Sequence, residues 1–237
     1  MTRVIVDKEF WELFPEAQIS TLTIHKIDNH VYESDDPYFA QLLKDGAQES
    51  KKFIENEVFR DNEVVDEWRQ AFRKFKTKKG ARCSIEALLK RVSQGREFSP
   101  INPLVDIYNS ISLKYGVPCG GENLNAIDGN LHLGKANGGE SFKPLGSDED
   151  APALPGEIIY YDNTGAICRC LNWREAQRTM LTEDTTDSVL VIEAIDPASI
   201  RRATEAINEL KQLVEKYFQV TGEIKQLTKN DFETEEL

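Results

Sequence analysis

Two polar clusters in this sequence hold residue types that do chemistry. The denser one is Leu171-Asn-Trp-Arg-Glu-Ala-Gln-Arg-Thr179, with Thr182, Glu183, Thr185 and Thr186 close behind. Arg174 and Arg178 are of the type that holds a carboxylate or phosphate through two parallel hydrogen bonds. Glu175 suits the positioning of a water or a substrate amine, and Trp173 suits stacking on a ring. Thr179 adds a hydroxyl. An exposed loop with a Glu175–Arg178 salt bridge would carry the same residues and do no chemistry, and both readings stay open on residue types.

The other cluster lies on a helix. Asn102-Pro103 is a good helix start, and Gly116 followed by Pro118 is a good stop. At about 100° per residue, Leu104, Ile107, Tyr108, Ile111 and Tyr115 share one face. Asn102, Asp106 and Asn109 share the opposite one. Asn and Asp compete for backbone groups and are poor helix formers, so a stripe of them has a use or is a capping Asn with ordinary surface polars.

Net charge is −12 over 237 residues, which argues against unspecific binding to nucleic acid by the whole chain. One segment departs from this. Between Arg69 and Arg96 there are ten Lys or Arg and a single acid, Glu86. Arg73, Lys74, Lys76, Lys78, Lys79 and Arg82 form its centre and are candidates for holding a polyanion; a solvated loop between helices is the alternative.

The elements that must position these groups follow from periodicity. Strands are expected at 3–7 and 18–27, helices at 37–57, 63–75 and 84–92, and then the helix from Asn102. Asp128-Gly129 turns into another strand. Glu157–Asp162 and Ala166–Leu171 form a hairpin across Asn163-Thr-Gly165. Ser188–Ala194 is so apolar that both its faces must be buried. Asp196-Pro197 opens a long helix that Gly222 ends, and the acidic end of the chain is expected to fray. The result is an α/β chain, one globule of normal composition with 40% hydrophobic residues.

Several classes are excluded or disfavoured. No apolar run reaches the length of a membrane span, and Met1–Asp7 has no signal-like apolar stretch. Phosphate-binding glycine loops and the GxSxG elbow are absent. His25, His30 and His132 are scattered, and a nucleophilic role for Cys119 has no supporting feature. Four cysteines without CxxC spacing point to free thiols in a reducing compartment, not to zinc. No metal or cofactor is expected.

Taken in order and spacing, Asn102-Pro-Leu-Val-Asp-Ile-Tyr-Asn109, Gly116-Val-Pro118, Asp128-Gly129, Gly139-Glu140, Leu145-Gly146 and Val189-Leu-Val resemble the B3/B4 domain of the phenylalanyl-tRNA synthetase β subunit. The resemblance covers about residues 100–195. With the N-terminal helices and Asn172-Trp-Arg-Glu175, the chain also looks like the free-standing bacterial proteins built on this domain.

The resemblance implies a layered β/β/α fold, α/β in the α+β sense, with a mixed sheet and a mostly helical N-terminal portion. It divides the chain into 1–98, a core at 99–222 and an acidic tail at 223–237. In the synthetase this domain hydrolyses tyrosine wrongly esterified to tRNA, so the implied activity is editing and not ligation. The partner is tRNA or aminoacyl-tRNA, with neither DNA nor membrane, and the setting is cytoplasmic. By position, Asn102, Asp106 and Asn109 would line an aminoacyl pocket and Glu175 would read the substrate's hydroxyl; Arg174 and Thr179 join them as substrate-binding candidates on residue type. The backbone N–H groups of Gly120 and Gly121 could polarise the ester.

One departure stands out. After the Gly-x-Pro turn the synthetases carry Met-His, whereas this chain has Cys119-Gly120. The pocket histidine is missing. Three readings follow: a hydrolase of mischarged tRNA acting in trans, a tRNA- or amino-acid-binding module that has lost catalysis, and a small-molecule hydrolase or amino-acid sensor without RNA.

Overall fold

The hydrophobic strand at 188–194 sets the architecture, because both its faces are covered. In the computed structural model, which describes residues 2–237, it is β8 (Ser188–Ala194), and every one of its residues is buried. Its side chains alternate. Val189 and Val191 enter one apolar cluster, and Leu190, Ile192 and Ala194 enter another. A period of two on a doubly covered strand forces this division.

β8 lies inside an antiparallel sheet ordered β3 (Cys119–Asn123), β8, β2 (Gln18–Ile24) and β9 (Glu223–Leu227). A second sheet is ordered β1 (Val4–Val6), β4 (Leu131–Lys135), β5 (Ile158–Tyr161), β6 (Ala166–Arg169) and β7 (Arg174–Glu175). It is mixed, since β1 and β4 run parallel and the rest antiparallel.

One cluster fills the space between the sheets, joining Val4, Leu131, Tyr160 and Ile167 to Ile19, Val189 and Val191. The other lies between the β8 sheet and two helices, α5 (Pro103–Tyr115) and α6 (Pro197–Phe218). The layers are therefore β, β and α, as the resemblance implies. Helices α1 (Lys8–Leu13), α3 (Glu63–Phe72) and α4 (Ser84–Ser93) pack Phe10, Trp68 and Leu89 into the inter-sheet cluster. Helix α2 (Asp36–Glu49) packs Phe39 on the α5 side.

The expected helix ends hold at α5. The Asn102 side chain accepts from Val105 N at 3.1 Å, and Gly116 takes the left-handed conformation at φ 62°. Helix α6 starts at a full capping box on Asp196 and stops at Gln219 (φ 56°), three residues before the glycine expected to end it.

Two strands escape the pattern. β3 reads Cys-Gly-Gly-Glu-Asn, a composition depleted in strands, and is held by pairing to β8. β9 lies in the stretch 223–237 read as an acidic tail, and the end of the chain corrects the expectation that Asp231–Leu237 frays. Val6 N donates to Phe232 O at 2.8 Å, Thr234 N to Val4 O at 3.0 Å and Leu237 N to Thr2 O at 2.8 Å. The tail satisfies the open edge of β1, whose backbone groups need partners.

Candidate functional site

A cavity opens between the two sheets, at the end where β3 and β7 approach each other. Its volume is about 50 Å³, and about 430 Å³ of space is free of protein atoms once the open solvent at its mouth is included. Its walls are apolar at Leu131, Leu171 and Val191, and three carboxyls enter it: Glu122, Glu175 and Glu193.

Strand geometry explains each carboxyl. Glu193 follows Val189 and Val191 on the face of β8 that looks at the other sheet. Gly120 and Glu122 stand opposite Val191 and Val189 in the β3–β8 ladder, so they share that face. Glu175 comes from the opposite sheet, on the two-residue β7.

The three carboxyls are served unequally. Glu193 Oε1 accepts from the Tyr160 hydroxyl at 2.9 Å, and Oε2 accepts from Asn172 Nδ2 at 3.3 Å. Burial still pushes its pKa up to about 7, against the pull of these two bonds. Glu122 is raised by burial and then by the charge of Glu175, and its Oε2 has no hydrogen-bond partner among the described residues. Glu175 is raised by burial.

Cys119 and Cys168 also line the cavity. Burial, with the nearby acids, pushes both thiols well up, so they stay protonated and are poor nucleophiles. No histidine stands in the lining. Among the described residues no group of three or more His, Cys, Asp or Glu could hold a metal ion.

Of the candidate residues, Gly120, Gly121 and Glu175 are brought together here. Arg174 is exposed on the other face of β7, with Nη2 donating to Leu145 O at 3.3 Å. Adjacent strand residues point to opposite faces, so Arg174 and Glu175 do not reach the same space. The expected Glu175–Arg178 salt bridge is absent: Arg178 binds Asp162 instead, at 2.7 and 2.8 Å. Thr179 is buried behind β3, where its carbonyl accepts from Asn123 N at 2.8 Å, and it does not line the cavity.

Asn102, Asp106 and Asn109 stand on α5, across the β8 sheet from the cavity, and do not line it. Asn102 caps its own helix, accepts from Asn29 Nδ2 at 3.2 Å and donates to Leu181 O at 3.4 Å. Both Asp106 oxygens accept from Ile101 N at 3.0 Å, and burial raises its pKa to about 6. Asn109 is half-buried. Asn102 and Asp106 therefore secure the entry of the chain into α5.

The basic segment borders the cavity. Arg73, Lys74, Lys76, Lys78, Lys79 and Arg82 lie at the end of α3 and along the turn to α4, and all six are exposed. Lys78 N donates to Cys170 Sγ at 3.4 Å and Ser84 N to Asn172 Oδ1 at 3.4 Å. Ser84, Leu171 and Asn172 line the cavity, so the basic turn is pinned to its rim. One charge is spent internally, Arg69 on Glu86 at 2.6 Å. Arg69, Arg82, Lys90 and Arg60 surround an open depression beside it.

Glu122, Glu193 and Tyr160 are site residues that residue pattern did not single out, and Asn172 stood in the polar cluster without a role assigned to it. Glu193 left a trace, as an acid inside an otherwise apolar strand. Glu122 left none, since the strand carrying it does not look like one.

The model of the B3/4 domain family matches residues 67–223. The phenylalanine–tRNA ligase beta subunit of Cutibacterium acnes (strain DSM 16379 / KPA171202) is 30% identical over 104 residues, which cover 44% of this chain and 12% of that subunit. The matched stretch is thus a small part of the ligase subunit. In three dimensions the chain is similar to an N-terminal fragment of the phenylalanyl-tRNA synthetase beta subunit from Pyrococcus horikoshii. The TM-score is 0.51 at 12% identity, covering 99% of this chain and 54% of that one.

Proposed function

This chain belongs to the B3/4 domain family, and from that premise we propose that it binds the aminoacylated end of a tRNA and hydrolyses the ester of a mischarged aminoacyl-tRNA, as a trans-editing protein. The observation that carries this reading is the basic turn pinned to the rim of the cavity by Lys78 and Ser84. A polyanion lying along 73–82 would bring its end to the mouth. The four buried free thiols suit the reducing cytoplasm.

The chemistry is direct attack by water. The lining has no activated nucleophile: it has no histidine, and its thiols are protonated. Water adds to the ester carbonyl, the bond to the ribose oxygen breaks, and that oxygen takes a proton to leave free tRNA and amino acid. Successive N–H groups of a strand point to opposite edges and that of Gly120 faces β8, so only the Gly121 N–H, on the outer edge of β3, could polarise the carbonyl, and the neighbouring ribose hydroxyl would assist.

The test is release of amino acid from a panel of correctly charged and mischarged tRNAs, with binding of uncharged tRNA measured at several salt concentrations. Release above the buffer rate for at least one mischarged species is expected. Salt-dependent binding without turnover would make the protein a binding module that has lost the chemistry, which the missing histidine at Gly120 favours. Neither binding nor release sinks the reading.

A further inference from the structure

Glu122 and Glu175 are the carboxyls of the cavity that no group of the protein fully serves. Glu193 is engaged at both oxygens. Glu122 is 6% exposed, with Oε2 enclosed and unpartnered among the described residues, and the same holds for Ser84 Oγ in the lining. An enclosed carboxyl without a donor either keeps its proton, as burial of Glu122 and Glu175 favours, or needs a countercharge, and a second acid beside it adds repulsion once both ionise. A cation brought from outside resolves both. The carboxyls are not placed for a metal ion. The lining instead combines carboxyls with apolar walls at Leu131, Leu171 and Val191, which suits an alkyl stem carrying a charged head. Gly120, with no side chain beside Glu175, leaves the entrance open.

We propose that the cavity binds a monocationic head, ammonium or guanidinium, on an alkyl stem, held between Glu122 and Glu175. The aminoacyl group it selects is then a basic one, and this last step rests on the tRNA reading above. Apolar side chains without a donor would leave both acids unpaired and be rejected.

The probes are small amides titrated calorimetrically into the full chain. N-acetyl-argininamide and N-acetyl-lysinamide carry only the side-chain cation, norleucinamide only the α-ammonium, and N-acetyl-norleucinamide neither. The first two are expected to bind about tenfold or more tightly than the last, and Glu122→Gln or Glu175→Gln should each cost about tenfold, as loss of a charged hydrogen bond does. No binding by the cationic probes, or glutamine variants that bind like the parent, overturns the proposal. Norleucinamide binding as well as N-acetyl-argininamide would place the cation on the α-carbon and overturn the basic side chain. The probes contain no RNA. Amide binding without tRNA binding therefore upholds the cation site and overturns the tRNA reading, and the reverse pattern does the opposite.

Discussion

Glu175 Oε1 lies 3.3 Å from the point where a Cβ on Gly120 would sit. A Cβ on the next residue, Gly121, would fall 2.4 Å from Leu190 Cδ2 and 3.1 Å from Leu181 Cδ1. Two adjacent glycines thus face a site and a core. Gly120→Ala should fold normally, because Glu175 can swing aside, and should weaken ligand binding at the cavity. Gly121→Ala overpacks the β3–α5 side and should cost about 1–3 kcal/mol of stability. Urea unfolding of both variants checks the contrast, and equal losses would contradict it.

Asn102 holds three polar groups at the start of α5 and does not touch the cavity. Asn102→Ala should lower stability by about 1–2 kcal/mol, through the lost cap and the loss of one of the two bonds that Asn29 Nδ2 donates. Ligand affinity per folded molecule should stay unchanged. A variant that is fully stable but binds poorly would return this helix to the site.

Lys76, Lys78 and Lys79 are exposed, with no ion pair tying any of them down, so reversing their charge should not disturb the fold. The triple Lys→Glu variant should bind tRNA much more weakly. The slope of log affinity against log salt should shrink by about one for each phosphate that is no longer neutralised. Unchanged affinity and slope would remove this turn from the interface.

Stability should fall as pH rises. Burial raises Asp106 to about 6 and Glu193 to about 7, and it raises Glu122 and Glu175 as well. Each group keeps its proton better folded than unfolded. Between the ordinary carboxylate range and the raised values the folded state binds more protons, so stability declines across that window. Asp187 works the other way, but it is lowered to about 2, and the stability it contributes is lost only in more acidic solution. The urea midpoint should therefore be higher at about pH 5 than at about pH 8, and Glu193→Gln should narrow the gap. A higher midpoint in the alkaline sample would contradict this.

Much of the fold is legible from local pattern. The caps at Asn102, Gly116 and Asp196 are side-chain and backbone events within a few residues, so spacing reveals them. β8 announces its double burial through composition. Local pattern fails at β3 and β9. Cys119–Asn123 becomes a strand because β8 offers its edge, and the tail is ordered because β1 needs a partner. Those reasons lie far away in the chain.

The site divides along the same line. The sequence alone determined that polar chemistry gathers around residues 171–179, that Gly120–Gly121 follows the α5 turn, and that a basic segment precedes both. It could not decide which members of each cluster meet. Strand alternation sent Glu175 inward and Arg174 outward. Sheet stacking brought Glu122 and Glu193 to face Glu175, and it left Asn102, Asp106 and Asn109 on the far side of a strand layer. Spacing in sequence reports neighbours on one element. Which elements face each other is set by burying the apolar faces of both sheets together, and only the folded chain shows the result.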